Sequence, residues 1–248
     1  MYKLMLGDCL NRMDEIKDKS IDMVMVDPPY GTTACKWDSI ISLKPMWEQL
    51  KRIIKPNGAI AMTSSQPYTS KLVMSNVKMF RYEWVWNKKL AGNTILAKKH
   101  PLKIHENILI FSFAGNIFYA PKMRQGKFRM KGFKSALSKI YGSSKSTDTR
   151  IWNDLYYPQS ILEVTNANNR IGRVHPTQKP VALMEYLIKT YTNEGETVLD
   201  FCMGSGTTGV ACLNLDRDFI GIEKNRKIYG TAVKRIKEAK QQRKSRFF

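Results

Sequence analysis

Residues 21–30 have the sequence IDMVMVDPPY, in which a short apolar run is followed by an acid, two prolines and a tyrosine. The run 21–26 has the length and composition of a buried β-strand. Each proline has a fixed φ angle and no backbone N–H, so the corner is stiff and its carbonyl groups can accept hydrogen bonds from a ligand. Asp27, Pro28, Pro29 and Tyr30 therefore predict a binding corner for a planar ring that carries an amino group. Open α/β sheets bind their ligands at such strand ends.

A second strand and its loop lie far downstream. Residues 197–209 read TVLDFCMGSGTTG, which predicts a strand, a loop of small residues and a helix that begins at Thr207 or Thr208. Glycines in such a loop let a ligand approach the backbone, and a helix N-terminus favours anionic groups. The loop lacks the lysine of a P-loop and the spacing of a dinucleotide fingerprint. Glu223 ends the next predicted strand, where an acid commonly holds ribose hydroxyls.

The rest of the chain alternates strands with helices, which is typical of a mostly parallel α/β sheet with helices on both faces. We predict strands at 2–6, 22–26, 59–63, 82–87 and 107–113, and helices at 10–16, 43–54, 66–77, 181–191 and from about 224 onward. The segment 115–170 breaks this alternation and interleaves many basic residues with aromatic ones. Because so long an insert is usually functional, we predict that it contacts nucleic acid; a solvated basic loop is the alternative.

The composition agrees with a nucleic-acid partner. The chain of 248 residues has 41 Lys and Arg against 21 Asp and Glu, a net charge of +20. Such an excess favours polyanions through counterion release, although a merely basic cytosolic protein would also fit. The 4 cysteines show no CxxC pair and the 3 histidines are scattered, so neither a zinc site nor a disulfide framework is indicated. No signal peptide or bilayer-spanning run is present, and we expect a cytoplasmic protein without a membrane partner.

Four motifs together resemble those of the S-adenosylmethionine-dependent DNA amino-methyltransferases, over nearly the whole chain. Residues 27–30 resemble the catalytic motif of that family, and residues 200–206 resemble its cofactor loop. The segment HPTQKP at 175–180 resembles the stretch before that loop, which touches the methionine end of the cofactor. The segment GDCL at 7–10 resembles the site that holds the cofactor's adenine. The catalytic motif precedes the cofactor loop, which is the order of the family's beta group.

The resemblance implies a Rossmann-like methyltransferase fold with S-adenosyl-L-methionine as cofactor and a basic target-recognition insert. The catalytic half would span 1–114, the insert 115–172 and the cofactor-binding half 173–248. The implied cofactor-binding residues are Asp8, Cys9, Thr177, Lys179, Asp200, Phe201, Gly204, Ser205, Gly206, Thr207, Glu223 and Lys224. The candidate DNA-binding residues are Lys122, Arg124, Lys127, Arg129, Lys131 and Lys134. We expect no metal, because the sulfonium of the cofactor is already an activated leaving group.

The implied reaction is methyl transfer to an exocyclic amine of a base that has been flipped out of DNA. Asp27 and the Pro28 carbonyl would accept the amine hydrogens, and Tyr30 would stack on the base. In this family an acid at the first catalytic position usually accompanies adenine as the target, and a serine there usually accompanies cytosine. Asp27 therefore favours adenine N6. Cytosine N4 methylation remains an alternative, as does a DNA-binding protein that has kept the fold without catalysis. Besides DNA, a homodimer and a cognate restriction endonuclease are candidate partners.

Overall fold

The computed structural model describes residues 1–32, 38–91, 94–114, 124–131, 151–165 and 178–244. It divides into a larger unit, 1–119 with 160–248, and a smaller unit, 120–159. The strands are β1 (Tyr2–Leu6), β2 (Ile21–Val26), β3 (Ile54–Ser64), β4 (Phe80–Asn87), β5 (His105–Phe111), β6 (Arg124–Lys131), β7 (Ile151–Tyr156), β8 (Ile161–Glu163), β9 (Thr197–Asp200) and β10 (Asp218–Glu223). The α-helices are α1 (Cys9–Met13), α2 (Leu43–Ile53), α3 (Tyr68–Ser75), α4 (Val181–Tyr191), α5 (Thr207–Asn214) and α6 (Arg226–Lys244).

Eight strands of the larger unit form one sheet in the order β1-β10-β9-β2-β3-β5-β4-β8. All neighbours in this sheet are parallel except at β5, which runs antiparallel to both β3 and β4. The carboxyl ends of β1, β10, β9, β2, β3 and β4 therefore lie at one edge of the sheet. This architecture confirms the predicted mostly parallel α/β fold.

Two apolar clusters cover the two faces of the sheet. The strand β2 packs into both of them, which explains why its sequence is almost continuously apolar. Met23 and Met25 pack into one cluster, which includes side chains of α4, α5 and α6. Val24 and Val26 pack into the other, which includes side chains of α1, α2 and α3. Because successive side chains of a strand point to opposite faces, a strand buried on both sides needs apolar residues at every inward position.

The junction between α2 and β3 differs from the sequence prediction. The sequence predicted a helix at 43–54 and a strand at 59–63, with a break between them at Pro56, Asn57 and Gly58. In the structure β3 begins at Ile54, directly after α2, and includes these three residues. The register with β2 shifts between Ile21 and Met23, so the extra residues are absorbed by an irregularity in the ladder. A Cβ at Gly58 would lie 2.8 Å from the Asp22 carbonyl oxygen, so this position requires glycine.

Three strands were not predicted, and all lie within the segment that breaks the α/β alternation. β6 and β7 form an antiparallel two-stranded ribbon, which belongs to the smaller unit. β8 pairs in parallel with β4 at the end of the large sheet, from Val85↔Ile161 to Asn87↔Glu163. The predicted boundaries of the insert, 115–172, stay a prediction.

Candidate active site

A cleft of about 1470 Å³ opens at the carboxyl edge of the large sheet. It is lined by many of the residues that the sequence singled out: Asp8, Cys9, Asp27, Pro28, Pro29, Tyr30, Lys179, Asp200, Phe201, Gly204, Ser205, Thr207, Glu223 and Lys224. Thr177 lies outside the described residues, and Gly206 is not among the described residues that line the cleft. The structure thus brings the corner 27–30 and the loop 200–206 to one cavity, because β2 and β9 are neighbours and point the same way.

Asp27 is held on both carboxylate oxygens. Thr63, near the end of β3, donates its hydroxyl hydrogen to Asp27 Oδ1. The Tyr30 hydroxyl lies 2.8 Å from Asp27 Oδ1 and 2.8 Å from the Thr63 hydroxyl oxygen. Lys179 Nζ lies 2.8 Å from Asp27 Oδ2. A carboxylate offers about four acceptor positions. Among the hydrogen bonds of the described residues, one acceptor position on Oδ2 is therefore left for a ligand.

Lys179 links Asp27 to a second carboxylate. Its ammonium lies 3.2 Å from Glu106 Oε2, and Lys88 Nζ lies 3.0 Å from Glu106 Oε1. Within the described residues Glu106 Oε2 makes no hydrogen bond, so its contact with Lys179 is an ion pair without hydrogen-bond geometry. Burial alone would lower the pKa of Lys179, but Asp27 and Glu106 raise it above its ordinary value. Burial alone would raise the pKa of Glu106, but Lys179 and Lys88 lower it.

These charges form a compensated cluster of two carboxylates and two ammonium groups. The side chain of Lys179 is only 11% exposed, so its charge is little screened by solvent. Lys179 therefore stays protonated and places a positive charge beside the Asp27 carboxylate. The Asp27 carboxylate is thus placed to accept hydrogen bonds and to stabilise a positive charge that develops on a ligand.

Tyr30 is fixed in place by the same surroundings. Its ring stacks on Tyr68 with centroids 5.6 Å apart and an interplanar angle of 22°. Lys179 Nζ lies 5.7 Å from the centre of the Tyr30 ring. Burial, followed by the charge of Asp27, raises the pKa of Tyr30 well above its ordinary value, so the phenol remains neutral. The expected stacking of Tyr30 on a target base stays a prediction.

Asp200 orders the loop that follows β9. Its two carboxylate oxygens accept hydrogen bonds from the Thr208 hydroxyl at 2.6 Å and from the Cys202 N–H at 3.0 Å. Burial raises the pKa of Asp200 to about 7, although both hydrogen bonds oppose that shift. Asp200 therefore closes the loop onto the first turn of α5, and its predicted contact with a cofactor stays a prediction.

The two glycines Gly204 and Gly206 of this loop have different structural roles. Gly204 has a φ of +51°, and a Cβ built there would find only the Cys202 carbonyl oxygen, 4.0 Å away, so it would project into open space. Gly206 has a φ of +81° and precedes α5; a Cβ there would lie 3.0 Å from Ile236 and 3.1 Å from Ala232 of α6. Gly204 thus keeps the cleft open, whereas Gly206 lets α5 pack against α6.

Two acids stand at the ends of the neighbouring strands. Glu223, at the end of β10, accepts from the Gly204 N–H at 3.1 Å and from the Asn225 N–H at 2.7 Å. Asp8 caps α1 by accepting from the Leu10 N–H at 3.0 Å, and it lies 3.1 Å from Lys224 Nζ. Each carboxylate therefore orders its own loop while still lining the cleft.

Two thiols meet beside these acids. Cys9 begins α1 and is buried, Cys202 follows β9, and both line the cleft. A hydrogen bond with Cys202 lowers the pKa of the Cys9 thiol. Both side chains also pack against the apolar cluster under the cleft, which accounts for their small size.

The candidate DNA-binding residues belong to the smaller unit. Arg124, Lys127, Arg129 and Lys131 all lie in β6. The side chain of Lys127 is exposed, and its carbonyl accepts a hydrogen bond of 2.7 Å from the Tyr156 hydroxyl. Lys122 and Lys134 lie outside the described residues. Their roles stay predictions.

Three residues around Asp27 were not predicted from the sequence. Thr63 contacts Asp27 directly, whereas Glu106 contacts Lys179, the partner of Asp27, and Lys88 contacts Glu106. A signal for Thr63 exists, because it is a polar residue at the end of the apolar strand that neighbours β2. No local pattern marks Lys88 or Glu106. They reach the cleft only because β4 and β5 pair antiparallel, with Trp86 opposite Glu106.

Comparison with known proteins identifies the family. A family model described as DNA methylase, of N6/N4 type, matches residues 21–234. The chain belongs to the DNA methylase family. The resemblance inferred from its motifs is thereby confirmed: this DNA methylase is a DNA methyltransferase of the N6/N4 family.

Two curated relatives of this DNA methylase are type II methyltransferases. M.HpaI of Haemophilus parainfluenzae is 26% identical in an alignment that covers 94% of this chain and 74% of the relative. M.HinfI of Haemophilus influenzae is 25% identical in an alignment that covers 96% of this chain and 68% of the relative. Both alignments include the corner 27–30 and the loop 200–206 within their extent, because they span nearly all of this chain.

Solved structures share the fold. The M1.HpyAVI–SAM complex superposes with a TM-score of 0.62 at 24% identity, covering 95% of this chain and 100% of that one. The PvuII DNA methyltransferase, described as cytosine-N4-specific, gives a TM-score of 0.64 at 16% identity, with coverage of 97% and 92%. At these identities the likeness shows the common architecture. None of the helices in the described ranges is long and apolar enough to cross a membrane.

Proposed function

We propose that this DNA methylase transfers a methyl group from S-adenosyl-L-methionine to the N6 amine of adenine in DNA. The observation that carries the proposal is the vacant acceptor position on Asp27 Oδ2, in the cleft that also contains the loop 200–206. A substrate amine and a methyl donor bound there would lie side by side at the ends of the adjacent strands β2 and β9.

The cleft fits the cofactor. The open space above Gly204 admits a ligand close to the backbone, and the cleft is large enough for a nucleoside with an amino-acid chain together with a base. Glu223 and Asp8 keep acceptor positions for ribose hydroxyls and for an adenine amine, respectively, since each carboxylate has more lone pairs than described partners. When bound, the cofactor supplies a methyl group on a positively charged sulfur. The roles of Thr177 and Lys179 toward its methionine end are part of the proposal.

The corner 27–30 would prepare the amine for attack. The lone pair of an exocyclic amine is delocalised into its ring, which makes the nitrogen a weak nucleophile. Hydrogen bonds from the amine to Asp27 Oδ2 and to the Pro28 carbonyl would favour a pyramidal nitrogen, with its lone pair directed at the methyl group. The nitrogen gains positive charge as the new bond forms, and the Asp27 carboxylate stabilises that charge.

The target base has to leave the duplex to reach this depth of the protein. We propose that the insert 115–172 reads the sequence around it, which the exposed Lys127 on the β6–β7 ribbon supports. Adenine is favoured over cytosine because the first residue of the catalytic motif is an acid, Asp27. A DNA partner also agrees with the net charge of +20.

Methyl transfer from tritium-labelled cofactor to unmethylated genomic DNA tests the proposal, with the labelled nucleoside identified after digestion. We expect N6-methyladenine, and less label on DNA from a host that already expresses the protein. Label in N4-methylcytosine would overturn the choice of adenine. DNA binding without any label would favour the alternative of a DNA-binding protein that lacks catalysis.

A further inference from the structure

The connection between β4 and β5 begins and ends at residues that line the cleft. β4 runs parallel to β2 and β3, so its end at Asn87 lies at the edge that carries the corner 27–30. The antiparallel pairing continues beyond the strands, because the Lys88 N–H donates to the Ile104 carbonyl at 2.7 Å. Lys88 and Lys103 both line the cleft. The connection therefore starts and ends beside the candidate active site.

Residues 94–104 of this connection, called the rim segment below, are ordered but almost entirely exposed. A 3₁₀ turn spans Thr94–Leu96, and it is extended by hydrogen bonds from the Lys99 and His100 N–H groups to the Leu96 carbonyl, at 2.8 and 2.9 Å. At the tip of the turn, Ile95 is 97% exposed. Further exposed apolar side chains are those of Leu96, Leu102 and Ile104.

Basic residues accompany these apolar ones. Lys98, Lys99 and His100 follow the turn directly and are exposed, and the Lys103 ammonium donates to the Ser65 hydroxyl at the cleft. Single exposed apolar residues are common and need no explanation. A group of them in an ordered turn, beside lysines and at the mouth of a polar cleft, is unusual and indicates an interaction surface. The adjacent positive charge makes a polyanion the fitting partner.

Proteins that distort DNA place an apolar wedge such as isoleucine between base steps while basic side chains hold the phosphates. We propose that the rim segment inserts Ile95 into the base stack beside the target base, while Lys98 and Lys99 contact the flanking phosphates. Ile95 would then occupy the gap that a flipped base leaves and would stabilise the open duplex. This inference depends on the proposed function, because only methylation inside the cleft requires the base to leave the stack.

The geometry allows this contact. Ile95 lies seven residues after Lys88, which lines the cleft, so the tip of the turn is at most about 25 Å from that lining residue. A base bound at Asp27 is tethered to its own strand, so the gap in the duplex must face the mouth of the same cleft. The rim segment is therefore within reach of that gap.

Comparison of duplex and single-stranded DNA tests the inference. The same unmethylated DNA, native or heat-denatured, is incubated with wild type, Ile95→Ala and Met74→Ala, and initial rates of tritiated-methyl transfer are measured. Ile95→Ala should lower the rate on duplex DNA at least about tenfold and the rate on single strands less than about twofold, since single strands need little unstacking. Met74 is 74% exposed on α3 and absent from the described lining of the cleft, so Met74→Ala should change neither rate.

A second variant examines the phosphate contacts. Lys98→Glu with Lys99→Glu should weaken binding to both forms of DNA and reduce its dependence on salt. Unchanged binding and unchanged salt dependence would place the rim segment away from DNA.

Three further outcomes would overturn the role of Ile95. One is an equal loss on duplex and single strands, and another is a wild type that labels only single strands. The third is a change in oligomeric state on gel filtration with both rates reduced together, which would make the rim segment a contact between copies of the chain. If wild type labels neither form of DNA, the proposed function itself fails. If Ile95→Ala labels duplex DNA as fast as wild type does, only the role of Ile95 fails.

Discussion

Asp27 illustrates how much of the candidate site is already arranged by the protein alone. Lys179 and Thr63 hold its two oxygens, and Tyr30 lies against one of them. Preorganised groups stabilise developing charge without reorientation during the reaction.

Replacing Asp27 by alanine should reduce methyl transfer at least about 100-fold while changing cofactor affinity less than about threefold, because in the proposed function its carboxylate binds the target amine and not the cofactor. Transfer rates and calorimetric titration with S-adenosylmethionine measure the two effects. Asp27→Asn is the control, since it keeps an acceptor oxygen and removes the charge; its loss of activity should be smaller. A large loss of cofactor affinity in Asp27→Ala would mean that the residue is misassigned.

Replacing Lys179 by methionine leaves Asp27 and Glu106 as uncompensated carboxylates. Both lie within 3.2 Å of the same nitrogen, so their oxygens are at most about 6 Å apart. We expect a loss of about 3 kcal/mol in the free energy of unfolding at pH 8. The loss should be smaller at pH 5, because a proton shared by the two uncompensated carboxylates would relieve their repulsion.

Thermal unfolding at the two pH values measures this effect. Lys88→Met is the matched control, because Lys88 contacts only Glu106 of the two carboxylates and leaves Asp27 paired. An equal loss in both variants at both pH values would contradict the role assigned to Lys179.

Asp200 should make the stability of the protein depend on pH. Its pKa in the folded state is about 7, above that of an exposed carboxyl near 4, so between these pH values the folded state binds more protons than the unfolded chain. The stability of the wild type attributable to this group is therefore greatest below about pH 4 and falls as the pH rises to 7.

Asp200→Asn removes this titration. The stability of the variant relative to wild type should increase from pH 5 to pH 8, by on the order of 2 kcal/mol. Denaturant unfolding at both pH values is the measurement. A relative stability that is the same at pH 5 and pH 8 would show that Asp200 is ionised throughout.

At the scale of elements, the loop between β9 and α5 combines an opening for a ligand with a packing contact. Gly204→Ala should lower cofactor affinity about tenfold, because its Cβ projects into the cleft. Gly206→Ala is a close control, since both glycines have positive φ angles, +51° and +81°, and share the backbone strain of substitution. In Gly206→Ala the Cβ meets Ile236 and Ala232, so we expect a lower melting temperature with affinity largely retained.

Affinity and melting temperature measured on both variants separate the two roles. If Gly206→Ala loses affinity as strongly as Gly204→Ala without a greater loss of stability, Gly206 is a cofactor contact, as the motif resemblance implies.

At the scale of the whole molecule, the positive charge should dominate DNA affinity. Charge reversal at Lys127 and Arg129 should weaken binding and lower the slope of log K against log salt by about 2, if each side chain holds one phosphate. Lys189→Glu with Lys237→Glu is the control; these exposed lysines of α4 and α6 carry the same charge change. Equal effects of the two pairs would indicate general attraction and would place sequence recognition elsewhere.

The amino-acid sequence by itself determined the fold class, the corner 27–30 and the loop 200–206. These features are local, since an apolar run, fixed proline angles and closely spaced glycines carry their meaning within a few residues. α4 was predicted with its observed bounds for the same reason, because its apolar residues repeat with helical spacing.

Only the tertiary structure decided what surrounds Asp27. Lys88 and Glu106 reach the cleft through the antiparallel pairing of β4 with β5, and Thr63 through the place of β3 beside β2. Lys179 meets Asp27 across 152 positions of the chain. Strand order and register depend on the burial of whole faces and on contacts distant in sequence, so no local pattern specifies which charges become neighbours.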